Sequence, residues 1–165
     1  MSQTMSAEKP QPTRTEQTGG AATTSKLSVR SVLPSQIGEI WEDIAPMVRR
    51  ALEHAQGETT TLEDTYAAMR LGWIGTWLIV NEKNEIIGVV GHENQKNPGN
   101  RVLFVNFVAG RDFDKWSARL QEYLIAHKKQ IGADVIWSSS RAGMMKKLKK
   151  LGWRVKAYIM EAPDG

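Results

Sequence analysis

The chain has no cysteine in 165 residues. That excludes disulfide staples, thiolate metal sites and cysteine nucleophiles together. Histidine is nearly as scarce. His54, His92 and His127 are the full complement and lie far apart along the chain, so no metal site is expected. No apolar run approaches the roughly 20 residues that a membrane helix requires. The N-terminus lacks the apolar core of a secretory signal. These absences point to a protein that is neither secreted by a signal peptide nor membrane-bound, in an intracellular setting or inside a particle. What remains is ordinary globular material, 41% apolar and 24% charged, enough for one domain with a core.

Residues 1–25 hold Thr, Ser, Gln, Gly, Ala and Pro, with two isolated methionines as the only large apolar side chains. Such a segment cannot bury enough surface to offset its ordering entropy, and it reads as a tail that is disordered or ordered only by a partner. A single domain is expected over 26–165. Alternation over 27–33 predicts a strand, and Ser35 is placed to cap a helix carrying Ile37, Ile40, Trp41 and Ile44. Pro46 is expected to break that helix or to start a second one. Thr61 and Asp64 have the spacing of a capping box for a helix ending near Gly72. Strands follow at 76–81, 85–93 and 101–109, with a turn at 82–84 and a hairpin at 97–100. The segment 112–131 has helical periodicity and stops at Gly132. Last come a strand at 133–139, a basic helix at 142–151, a Leu151-Gly152-Trp153 break and a closing strand at 154–161. The predicted order is β α α α β β β α β α β.

Between Arg141 and Lys156 stand seven cations and no acid, while the whole chain is only +4. The positive charge is therefore local, and Lys146, Lys147, Lys149 and Lys150 form one face of the basic helix. A solvated face, a surface for an acidic protein partner and a contact for a ligand phosphate all fit that pattern. Nucleic acid is not expected, because no aromatic residues interleave with the cations; Trp41, Trp116 and Trp137 fall on apolar stripes, while Trp73, Trp77 and Trp153 sit at element ends. Glu93, beside His92, is the available general base, with a solvated hairpin end as the alternative reading. Ser138, Ser139 and Ser140 before Arg141 suit either phosphate contacts or a helix cap. His54 reads as surface.

The element order and the closing Lys147-Leu148-Lys149-Lys150-Leu151-Gly152-Trp153 resemble the GNAT superfamily of N-acetyltransferases, whose helix-end signature reads YEKLGF. The resemblance covers roughly residues 27–161 and is nearest to small GNAT-like proteins encoded by tailed phages, on the strength of 41–52, 78–90 and the Gly-Ala-Asp-Val-Ile of 132–136. It implies an α/β (α+β) fold with a mixed, mostly antiparallel twisted sheet and helices on both faces. It also implies acetyl-CoA as donor, held at Val108, Ala109, Gly110 and Arg111 with help from Ser139 and Arg141, with Glu93 as base. Location in a bacterial host cytoplasm or within a phage particle follows from the same likeness.

Two positions depart from the family pattern. Asp112 and Asp114 put carboxylates in the first turn after the pyrophosphate loop, where they read as helix caps. Leu148 stands where the family carries a tyrosine that protonates the leaving thiolate. An acyl-CoA-dependent N-acetyltransferase and a catalytically degenerate virion-associated or accessory interaction protein, acting through the basic helix and residues 1–25, are the two leading readings, with a small nucleic-acid-associated factor the third and weakest. An enzyme should keep a cleft open beside 108–111 between splayed strands. A degenerate scaffold should fill it with Phe107, Phe113 or Trp137.

Overall fold

A computed structural model of the chain describes residues 27–54, 60–140, 142–157, 160 and 162–164. The expected tail therefore lies outside the described residues. Strand β1 (Ser28–Val32) leads through a 3-10 turn (Pro34–Gln36) into α1 (Ile37–Glu53) and α2 (Leu62–Arg70). Then come β2 (Gly75–Val80), β3 (Ile86–Asn97), β4 (Asn100–Gly110), α3 (Phe113–Ile131), β5 (Val135–Ser138) and α4 (Ala142–Lys150). The five strands lie side by side in chain order, β1-β2-β3-β4-β5. All pairings are antiparallel except β4 with β5, which is parallel.

The sheet separates two apolar layers. On one face Ile37, Ile44 and Val48 of α1 and Met69 of α2 pack on Leu78, Val80, Val89, Phe107 and Ala109. On the other, Trp116, Leu120 and Leu124 of α3 pack on Trp77, Ile79, Ile87, Val90, Leu103 and Val105. Trp77, expected at an element end, is mid-strand and 2% exposed. Trp137, expected in the core, is half-buried.

Pro46 does not divide α1, which runs through it. Proline removes one backbone donor but its fixed φ suits a helix, and the buried stripe of Ile37, Ile44 and Val48 spans the position. Nor does Ser35 cap the helix. It lies inside the 3-10 turn, where the Leu33 N–H donates to Gln36 Oε1 at 3.0 Å. The closing strand is also absent from 154–157, which pair with no strand; Tyr158, Ile159 and Glu161 lie outside the described residues.

Two interruptions in the ladder set the face of everything after them. Ile79 pairs with Gly88 and Val80 with Ile86, so Ile87 is an extra residue in β3. Gly91 pairs with Phe107 and His92 with Val105, so Asn106 is an extra residue in β4. Before Asn106, Leu103 and Val105 face α3; after it, Phe107 and Ala109 face α1. One inserted residue has shifted the two-residue period of the strand by one.

The basic helix ends as its Leu-Gly-Trp sequence predicts. Gly152, at φ +90, donates to the Lys149 carbonyl (3.0 Å) and Trp153 to the Leu148 carbonyl (3.1 Å). Together these form a Schellman cap.

Candidate functional site: a cleft where two strands part

Strands β4 and β5 are joined over only four rungs, from Val102 with Val135 to Val105 with Ser138. Asp134 locks the lower end, its carboxylate accepting from the Arg101 N–H at 2.7 Å and its own N–H donating to the Arg101 carbonyl at 2.8 Å. At the upper end the Ser138 hydroxyl donates to the Val105 carbonyl (3.2 Å), taking the place of a further backbone rung. Above it the strands diverge: β4 bends at the Asn106 bulge and β5 gives way to Ser139 and Ser140.

The gap is a cleft with about 780 Å³ of empty space, its open mouth included. Val105, Phe107 and Val108 line it from β4 and Phe113, Ser117, Leu120, Gln121 and Leu124 from α3. Ser138, Ser139 and Ser140 form a hydroxyl rim, Met144, Leu148, Leu151 and Trp153 form the α4 wall, and Ala51 and His54 close the α1 side. Phe107 and Phe113 are walls of this space and do not plug it. Gln121 ties the wall together, its amide nitrogen donating to the Leu151 carbonyl (3.1 Å) and its oxygen accepting from Trp153 Nε1 (2.8 Å). Ser117 and Gln121 went unremarked in the sequence. The signal was there, since both fall on the same helical stripe as Phe113, Leu120 and Leu124.

The expected donor-binding residues divide. Val108 and Ser139 line the cleft. Ala109 points away from it into the α1 layer. Gly110, at φ +133, lies so close to β3 that a Cβ would fall 2.2 Å from the Ile87 carbonyl oxygen, so its lack of a side chain serves strand contact. Arg111 is bound into the same contact, its N–H donating to the Ile87 carbonyl (3.0 Å) and its guanidinium to Glu85 at 2.9 Å. Arg141 lies outside the described residues. Asp112 holds the N-cap position of α3 in a left-handed conformation, but its side chain makes no capping bond. Asp114 pairs instead with Lys147 of α4 at 3.6 Å, the ammonium also lying 5.6 Å from the Phe113 ring centre.

Glu93 is neither at a hairpin end nor in the cleft lining. Strand β3 continues past it to a Pro98-Gly99 turn, with Gly99 at φ +88. Half-buried, Glu93 accepts through Oε1 from Gln95 Nε2 (2.7 Å) and Asn106 Nδ2 (3.1 Å). Among the described residues two buried side-chain oxygens, Asn106 Oδ1 and Thr76 Oγ1, have no partner. Both residues flank Gly91 in the ladder, Thr76 as its partner in β2 and Asn106 as the bulge in β4. His54 is exposed, as its surface reading expected, and is the only ionisable side chain among the described residues of the lining.

Comparison with solved structures places this architecture. A mutant form of a Bacillus halodurans protein matches with a TM-score of 0.64 at 14% identity, over 82% of this chain and 98% of that one. An aminoglycoside N-acetyltransferase solved in complex with CoA matches at 0.61 and 10% identity, over 85% and 95%. Glucosamine-6-phosphate N-acetyltransferase from Arabidopsis thaliana matches at 0.56 and 14% identity, over 83% and 97%. No protein-family model matches the chain, and no curated protein matches it by sequence. Among the described residues no helix is long and apolar enough to cross a membrane. With its five-stranded, mostly antiparallel sheet and its parallel β4–β5 fork, the chain has the fold of the GNAT acetyltransferases.

Proposed function

We propose that the cleft binds the pantetheine arm of an acyl-CoA and that the protein transfers the acyl group to an amine. The observation that carries this reading is the fork itself: above Val105 the edge of β4 has no strand partner among the described residues, and the space beside it is walled by apolar side chains and rimmed by three serine hydroxyls. An extended amide-bearing arm matches such a site, its amides meeting the free strand edge and its methylenes the walls. In this reading the amine nitrogen attacks the thioester carbonyl carbon, the carbon–sulfur bond breaks, and CoA leaves as the thiolate. His54 takes the proton from the attacking amine, while Glu93 holds Asn106 and so the bulge that opens the fork.

A second reading draws on Asp112 and Asp114, which put negative charge where a pyrophosphate would meet the α3 N-terminus, and on Arg111, which Glu85 already occupies. Together they support a degenerate relative, of the phage-encoded kind that the sequence pattern suggests, meeting an acidic partner through exposed Lys146, Lys149 and Lys150.

Calorimetric titration with acetyl-CoA and with CoA separates the two. Saturable binding that is lost when Val108→Trp fills the cleft supports the transferase. No heat with either ligand overturns it and leaves the interaction protein.

A further inference from the structure

Outside the cleft, on the α3 face of the sheet, two of the three histidines meet. The imidazoles of His92 on β3 and His127 on α3 have ring centres 5.3 Å apart and planes at 67°. His92 is fixed from two sides. Its ring packs against Trp77, the centres 4.2 Å apart and the planes tilted by 41°, and lies over Gly75, where any Cβ would come within 2.5 Å of it. His127 stands edge-on to Trp77 at 5.0 Å, and Tyr123 is also edge-on to Trp77, at 4.8 Å. Among the described residues neither imidazole has a hydrogen bond or an ion pair to another protein group.

The spacing is within the range of edge-on ring contacts, and it also accommodates a shared ion. Two imidazoles bound to one tetrahedral metal, with metal–nitrogen bonds of about 2.0–2.1 Å, have ring centres about 5.2 Å apart. Ligation also needs neutral rings. Burial, and then the neighbouring His127, push His92 down to about 4, and burial lowers His127 as well. The sequence offers no hint of this, because the two residues come from different elements and meet only when α3 packs on the sheet.

We propose that His92 and His127 form a two-histidine site for a divalent transition metal of borderline softness (zinc, nickel or copper) that fastens α3 to β3. Water completes the coordination, since among the described residues no three His, Asp or Glu side chains come together to hold an ion. Such an ion is exchangeable and adds to stability by binding the folded chain.

The test is titration of zinc chloride into the full chain near pH 7.5 by calorimetry, with nickel quenching of tryptophan fluorescence as a second signal. One equivalent should bind, and the unfolding temperature should rise with zinc. His127→Gln, at a half-exposed position that should leave the fold intact, should weaken binding about tenfold or more, as should His92→Gln. His54→Gln should leave zinc affinity unchanged. The proposal is overturned if millimolar zinc produces no saturable binding, if His127→Gln binds as tightly as the parent, or if only His54→Gln loses the ion.

Discussion

The two halves of β4 share one strand and behave as different materials. Below the bulge, Val102, Leu103 and Val105 are 0–2% exposed, paired with β3 on one side and β5 on the other. Above it, Phe107 and Ala109 stay buried against α1, but Val108 is half-buried and among the described residues one strand edge has lost its partner. The edge paired on both sides and the edge open on one are thus separated by a single residue, Asn106. A cleft in this fold does not need a hole in the core. It needs a place where a ladder stops while the layers continue.

Substitutions of graded size should expose that division. The largest effect is expected where the upper half of β4 is pressed on β3. Gly110→Val meets the Ile87 carbonyl at an already left-handed φ and should cost about 3 kcal/mol or more in urea unfolding; a parent-like midpoint would break the close-contact assignment. Leu103→Ala, fully buried below the bulge, should cost about 3 kcal/mol. Val108→Ala, on the cleft wall, should cost about 1 kcal/mol or less. Equal losses at the two positions would erase the distinction between the halves.

An intermediate effect concerns pH. The folded pKa values of His92 and His127 are lowered, so the unfolded chain binds protons more readily. Their contribution is complete above the unfolded value of about 6.5 and is lost as pH falls toward about 4. Denaturation curves from pH 7 to 4 should show that decline, and His92→Gln should flatten it.

Gly152→Ala strains the Schellman cap at φ +90 and should cost about 1 kcal/mol, loosening the α4 wall. The smallest change is expected for Arg111→Ala. An exposed pair with Glu85 is worth about 0.5 kcal/mol or less, and CoA affinity should not move. Loss of CoA binding in that variant would return Arg111 to the donor site.

Much of the architecture was written in local pattern. The cap of α4 at Gly152, the Thr61 cap of α2, whose hydroxyl accepts from the Asp64 N–H at 3.1 Å, and the strand period through β2–β4 follow from spacing alone. Pro46 and the length of β3 did not, because packing on the sheet carried α1 through the proline and pairing with β4 carried β3 on to Asn97. The site was legible only in part. Val108 and Ser139 line the cleft, while the contacts of Arg111 and Glu93 depend on neighbours brought in from other elements. Glu85 and Asn106 stand 26 and 13 residues from these partners, and no periodicity announces them.

The extra residue at 106 also works as a reading frame. Everything from 107 to 110 is in phase with the α1 layer only because one position was inserted before it. Deleting Asn106 would leave composition and hydrophobicity almost untouched, yet it would turn Phe107 and Ala109 toward α3 and Val108 toward α1. The fork, and any chemistry that depends on it, is therefore encoded by a count as much as by the identity of the side chains around it.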